Sequence, residues 1–331
     1  MSKDIIFKSY KPNKNTIFSE LSTIELNNFL KLLENYNITF RNKLDLPRNY
    51  SFGFEFEMEL NDSIAIRRSL FKNRLYPQYQ LKREDTVHNG GEIATPILHN
   101  IRADWHKVKQ VLGIITPNAN NIDTCGAHIH IGSQIMSSNK KDWENFLMFW
   151  SLYENVITRF LNGEYLNTRL SANEYAKPAR ELFINAILNN KLDKLEDNSE
   201  LAFNDISVDR FYVINLNDVS NTQKEELNDT IEFRGANGTF NPIIWQNNLN
   251  MIIHLLINCR NLDHQVLLEE LKKINNNDSS DYSNIDILKA LRFCDLIFHN
   301  NLDKINFLRQ YFKDFNETKE KELVKSSPFT L

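Results

Sequence analysis

Along the chain, apolar positions switch between a spacing near 3.6 and a spacing of 2, and the switches mark out the elements. After a polar lead-in over 1–16, Leu26, Phe29, Leu30 and Leu33 recur at helical spacing and predict a helix over about 22–36. Ser22 and Glu25 stand at the spacing of a capping box at its start. SFGFEFEMEL (51–60) alternates apolar and acidic residues and predicts a strand. Residues 62–84 are basic and fit neither period cleanly. EIATPIL (92–98) predicts a second strand, entered through a turn at Gly90-Gly91. A helix is expected over about 102–112 and a strand at AHIHIGS (127–133).

From Lys140 to Leu161, the positions of Trp143, Phe146, Leu147, Trp150, Tyr153, Val156 and Phe160 describe an amphipathic helix with a broad apolar side. A further helix is expected at 177–191, then strands at RFYVINL (210–216) and TIEFRG (230–235). Asn241-Pro242 has the form of a helix N-cap followed by proline in the first turn. The stretches 243–274 and 284–313 read as mostly helical, separated by an exposed polar loop, NNNDSSDYSN (275–284). Strands are concentrated before residue 236 and helices after it. With no internal repeat and no Pro- or Ser-rich linker, the pattern predicts one α+β unit whose helices cover one side of a sheet. Within it, 1–50 forms a lead-in and helix, 51–260 the core, and 261–331 a helical extension packed on that core.

Three of the strands share a design. Residues i and i+2 of a strand point to the same face. Glu55, Glu57 and Glu59 therefore share a face, backed by Phe54, Phe56 and Met58. His128 and His130 share one, backed by Ala127, Ile129 and Ile131. Glu232 and Arg234 share one, backed by Ile231 and Phe233. Any one of these strands alone could be a solvent-facing strand. However, glutamate is depleted in strands, and neighbouring carboxylates repel unless a cation lies between them. Of nine glycines, seven flank these segments (Gly53, Gly90, Gly91, Gly126, Gly132, Gly235 and Gly238), where turns and close backbone approach are needed. An oxygen-rich set with an occasional imidazole suits Mg²⁺ or Mn²⁺ rather than structural zinc. There is no HExxH, no Walker A loop and no GxSxG elbow.

Composition narrows the field further. The 331 residues (38.9 kDa) are 41% hydrophobic and 25% charged, ordinary values for a globular chain. Lys+Arg 39 against Asp+Glu 43 gives a net charge of -4, which argues against nucleic acid held on a broad basic surface. Cys125, Cys259 and Cys294 are few and widely spaced, so neither a disulfide framework nor a cysteine metal site is expected. With no apolar leader and no stretch of about 18 apolar residues, a cytoplasmic protein without a membrane partner is expected.

FGFEFEM (52–58), EDTVHNGGEIATP (84–96), CGAHIHIG (125–132), RFYVINL (210–216) and TIEFRGANGTFNP (230–242) occur in one order over roughly 50–260. In this the chain resembles the amidoligase family, a branch of the glutamine synthetase-like carboxylate–amine ligases. The resemblance implies a curved antiparallel sheet forming half a funnel, with helices on its outer side. It implies ATP and Mg²⁺ (or Mn²⁺) as cofactors, and metal binding by Glu55, Glu57, Glu92, His128 and Glu232. It places His130 near the nucleotide and Arg234 on phosphate, with Arg210 near substrate or phosphate. Asp85 stands where the family often has a D-x-S turn, but here Asp85-Thr86-Val87 departs from it.

The implied activity is ATP-dependent joining of a carboxylate to an amine through an acyl phosphate. The substrates would be amino acids, peptides or proteins. Two alternatives stay open: a catalytically inactive nucleotide- or peptide-binding regulator, and a metal-dependent amide hydrolase on the same scaffold.

Overall fold

The computed structural model describes residues 8–192, 210–217, 219, 229–274, 282, 285–313 and 321–325. Its centre is an eight-stranded antiparallel sheet. The strands are β1 (Ser51–Leu60), β2 (Gln80–Glu84), β3 (Gly90–Ala94), β4 (Leu98–His99), β5 (Ala119–Asn120), β6 (Gly126–Gly132), β7 (Ile214–Asn215) and β8 (Thr230–Asn237). They run in the order β2-β3-β1-β6-β8-β7, with β4 and β5 also paired to β1. The helices are α1 (Thr23–Glu34), α2 (Ser63–Lys72), α3 (Arg102–Ile115), α4 (Lys140–Leu161), α5 (Ala172–Tyr175), α6 (Arg180–Leu188), α7 (Pro242–Asn258), α8 (His264–Lys272), α9 (Ile287–Ile297) and α10 (Asn301–Phe312).

The helix signals act as the sequence suggests. Ser22 and Glu25 close a reciprocal capping box on α1, and the Asn241 side chain accepts from Ile243 N–H with Pro242 opening α7. The basic stretch that fits neither period divides into α2, capped by Asp62, and the edge strand β2.

Two predicted strands are shorter than their patterns. EIATPIL breaks at Thr95-Pro96: proline has no N–H for the ladder, and Thr95 instead exchanges bonds with Phe54 before pairing resumes at β4. RFYVINL is ladder-paired only at Ile214–Asn215. Its preceding residues exchange backbone bonds with Lys177 instead (Lys177 N–H to Phe211 O, 2.7 Å; Val213 N–H to Lys177 O, 2.8 Å). The loop expected at 275–284 lies, apart from Tyr282, outside the described residues.

The apolar side of the sheet is covered by helices. Phe54 and Phe56 meet Trp245 of α7 at ring separations of 4.9 and 4.7 Å, and Phe52 meets Trp105 of α3 at 5.5 Å. On β8, Phe233 packs on Trp150 and Phe146 of α4. A second helical layer joins through Phe293 of α9 on Phe149 and Phe307 of α10 on Phe160. One continuous buried cluster contains residues from 1–50, 51–260 and 261–331 alike. With one face of the sheet buried, its acidic and imidazole residues are left on the other. Among the described residues, no helix is long and apolar enough to cross a membrane.

Candidate active site

The strand register puts the polar residues opposite one another. Glu57 faces Glu92 across β1 and β3, Glu55 faces His128 across β1 and β6, and His130 faces Glu232 across β6 and β8. Since each cross-strand pair shares a face, three separate i, i+2 patterns become one surface. Glu55 Oε2 lies 2.8 Å from His128 Nδ1, and Glu55 Oε1 lies 3.2 Å from His130 Nε2. Glu57 Oε1 is 3.3 Å from His128 Nε2, and Glu57 Oε2 accepts a short bond from Gly126 N–H. Glu232 pairs closely with Arg234 and accepts from Asn215 Nδ2 at 2.8 Å.

A cavity of about 400 Å³ opens over this surface. Its acidic side is Glu55, Glu57, Glu84 and Glu92 with His128, and its basic side is Arg169, Arg210 and Arg234. His130 and Glu232 adjoin it through their bonds to Glu55 and Arg234. A larger cleft, about 770 Å³, lies among α4, α8 and α9 behind Leu152, Leu267, Leu288 and Leu296, and holds none of these groups. Chemistry, rather than size, identifies the site.

The charges respond to one another. Burial disfavours a charged Glu55, but the hydrogen bonds and charge of His128 and His130 hold its carboxyl well below the usual range. Glu92 moves the other way: burial, and then the nearby charge of Glu55, Glu84 and Glu57, push it up to about 7.

Among the described residues, two sets of three side chains can each bring ligand atoms within 4.8 Å of one another: Glu55, His130 and Glu232, and Glu57, Glu84 and Glu92. The donors fit a hard divalent cation, being mainly carboxylate oxygens with imidazole as a minority ligand. His128, expected as a metal ligand, belongs to neither set, but its buried Nε2 faces the Glu57 carboxylate at 3.3 Å.

Most of the residues singled out from sequence converge here: Glu55, Glu57, Glu92, His128, His130, Arg210, Glu232 and Arg234. Arg210 is exposed at the cavity mouth and stacks on Phe211 at 5.2 Å. His130, expected near the nucleotide, belongs to one of the two ligand sets. Glu59 leaves the group and bonds His88 and Asn120. Asp85 forms a surface ion pair with Arg83 at 2.6 Å.

Two charged cavity residues, Glu84 and Arg169, are not among those singled out from sequence. Glu84 reaches the site because β2 pairs with β3, and β2 has no clear strand pattern. Arg169 comes from the loop after α4. Cys125 adjoins His128 in sequence, but its thiol is buried and pushed up to about 12, chiefly by burial, which removes it as a nucleophile.

The family model described as "Putative amidoligase enzyme" matches residues 67–256, more than half of the chain. That span contains Glu84, Glu92, His128, His130, Arg169, Arg210, Glu232 and Arg234, while β1 with Glu55 and Glu57 precedes it. No curated protein matches the chain.

Proposed function

Since the chain belongs to the amidoligase family, we propose that it is an amide-bond-forming ligase that uses ATP. The carboxylate substrate attacks the γ-phosphorus, ADP leaves, and an acyl phosphate is formed. The amine then attacks the acyl carbon and phosphate departs, leaving an amide or isopeptide bond. The observation that carries this reading is one cavity whose acidic floor meets a wall of arginines.

Bringing two anions together is opposed by charge repulsion, and phosphoryl transfer needs positioning and charge stabilisation more than a nucleophilic side chain. Divalent cations such as Mg²⁺ or Mn²⁺, held by Glu55, Glu57, Glu92, His128 and Glu232 with Glu84 and His130 in reach, would neutralise phosphate oxygens. Arg234 is anchored by Glu232 and by donation from Nε to Tyr175 O (3.2 Å), so it presents a pre-set cation to the transferred group. Arg210, at the mouth, is suited to meeting an incoming anion. Asn215 holds the second oxygen of Glu232 and fixes its direction.

The test is incubation of the protein with ATP, Mg²⁺ and pooled amino acids or peptides, followed by mass spectrometry. Products condensed with loss of water and matched by ADP support the ligase. Amide cleavage without ATP would instead make the protein a hydrolase, and ATP binding with no turnover on any amine would make it a regulator.

A further inference from the structure

Arg169 belongs to none of the motifs, yet its guanidinium occupies the polar face of the sheet. Its backbone N–H donates to Asn237 Oδ1 at 2.9 Å. The loop around it is stitched to the segment before β6, with Leu170 N–H on Asp123 O (2.8 Å) and Ser171 Oγ on Thr124 O (3.0 Å). The side chain then runs over Gly126, where a Cβ would lie 1.9 Å from Nη1, so only glycine leaves room for it. Nη1 donates to Ala236 O at 2.8 Å and Nη2 to Arg234 O at 3.0 Å.

Those two carbonyls flank Gly235, where β8 leaves regular pairing. Ala127 opposes Ala236 and Ile129 opposes Phe233, so β8 has one residue more than β6 between these pairs. A bulge of this kind re-aims a side chain, and the side chain here is Arg234. On the other edge, Arg234 N–H is bonded to Val213 O, while its carbonyl turns to Arg169.

Two neutral carbonyls do not require a full charge to satisfy them, and burying a guanidinium is costly unless its charge is used. Arg169 is 3% exposed, and its buried Nε has no hydrogen-bond partner. Its charge lies among Glu57, Glu232 and Arg234.

We propose that Arg169 is a positioning residue: it clamps the β8 bulge across Gly126 and thereby aims Arg234 into the cavity. The kinetic consequence rests on the ligase reading above, whereas the structural one does not. The test uses full-length protein with ¹⁵N-labelled arginine, with the Arg234 Nε–Hε signal assigned by its disappearance in R234K.

In R169M that signal should shift or broaden while the far-ultraviolet circular dichroism spectrum stays that of the wild type. The kcat for ADP release should fall about 100-fold, as expected for a misplaced catalytic group. R169K, which keeps a single donor head, should recover part of the loss. An unchanged Arg234 signal in R169M, or wild-type kcat, overturns the proposal. If R169M does not fold, G126A decides by the same signal, because a Cβ there displaces the guanidinium. A wild-type protein that releases no ADP defeats the ligase reading, while the Arg234 signal still judges the role of Arg169.

Discussion

Glu55 and His128 stand directly opposite each other across β1 and β6, with Glu55 Oε2 2.8 Å from His128 Nδ1. The contact joins two motifs 73 residues apart and leaves His128 Nε2 aimed at Glu57. His128→Ala should therefore lower ADP release by at least about 100-fold, through loss of ordered charge at the reacting centre. Far-ultraviolet circular dichroism should be unchanged, because the apolar backs of both strands are untouched. Full turnover by a well-folded H128A protein would sink the assignment.

Glu92 gives the metal-free protein a pH dependence of definite sign. Its folded-state pKa, pushed up to about 7 by burial and then by neighbouring carboxylates, lies above the unfolded value. The folded state thus holds the extra proton between the two values, so this group makes stability fall as pH rises from about 4.5 to 7. Thermal melts in chelator should show that decline, with Mn²⁺ restoring stability most at the upper end. Glu92→Gln should flatten the slope, and an unchanged slope in E92Q would refute the attribution.

Trp245 carries the back of the site. Fully buried against Phe54 and Phe56, it supports the strand that presents Glu55 and Glu57. Trp245→Ala should cost about 3–5 kcal/mol of unfolding free energy in a denaturant titration. Where W245A remains folded, Mn²⁺ affinity should also fall, since β1 loses its backing.

Residues 321–325 strap two loops beside the cavity. Asp123 N–H donates to Val324 O (3.0 Å), Leu166 N–H to Lys321 O (2.9 Å), and Lys321 N–H to Glu164 O (2.9 Å). Removing 321–331 should destabilise the protein by about 1.5–4.5 kcal/mol, the net worth of three such bonds. Hydrogen exchange should quicken at 164–171, the loop that bears Arg169. Unchanged exchange there would show the strap to be dispensable.

Cys125→Ala should retain near-wild-type turnover, since the buried thiol is not an activated nucleophile. A complete loss in a stable C125A protein, measured by ADP release, would return the residue to the mechanism.

The sequence by itself determined which side chains share a face. Alternation in FEFEM, HIH and EFR is a local property, because successive Cβ atoms of a strand point in opposite directions whatever surrounds them. It also determined the caps of α1 and α7 and the apolar stripe of α4. These depend on contacts between residues a few positions apart.

Only the tertiary structure decided which faces meet. Register, set across the sheet, put Glu57 opposite Glu92 and His130 opposite Glu232, and turned Glu59 away to His88 and Asn120. It brought in Glu84 through a strand with no clear alternation. It seated Arg169 over Gly126 through a bulge 67 residues further along the chain. The physical reason is that strand parity is written in neighbouring residues, whereas register, bulges and loop crossings arise from packing among distant ones.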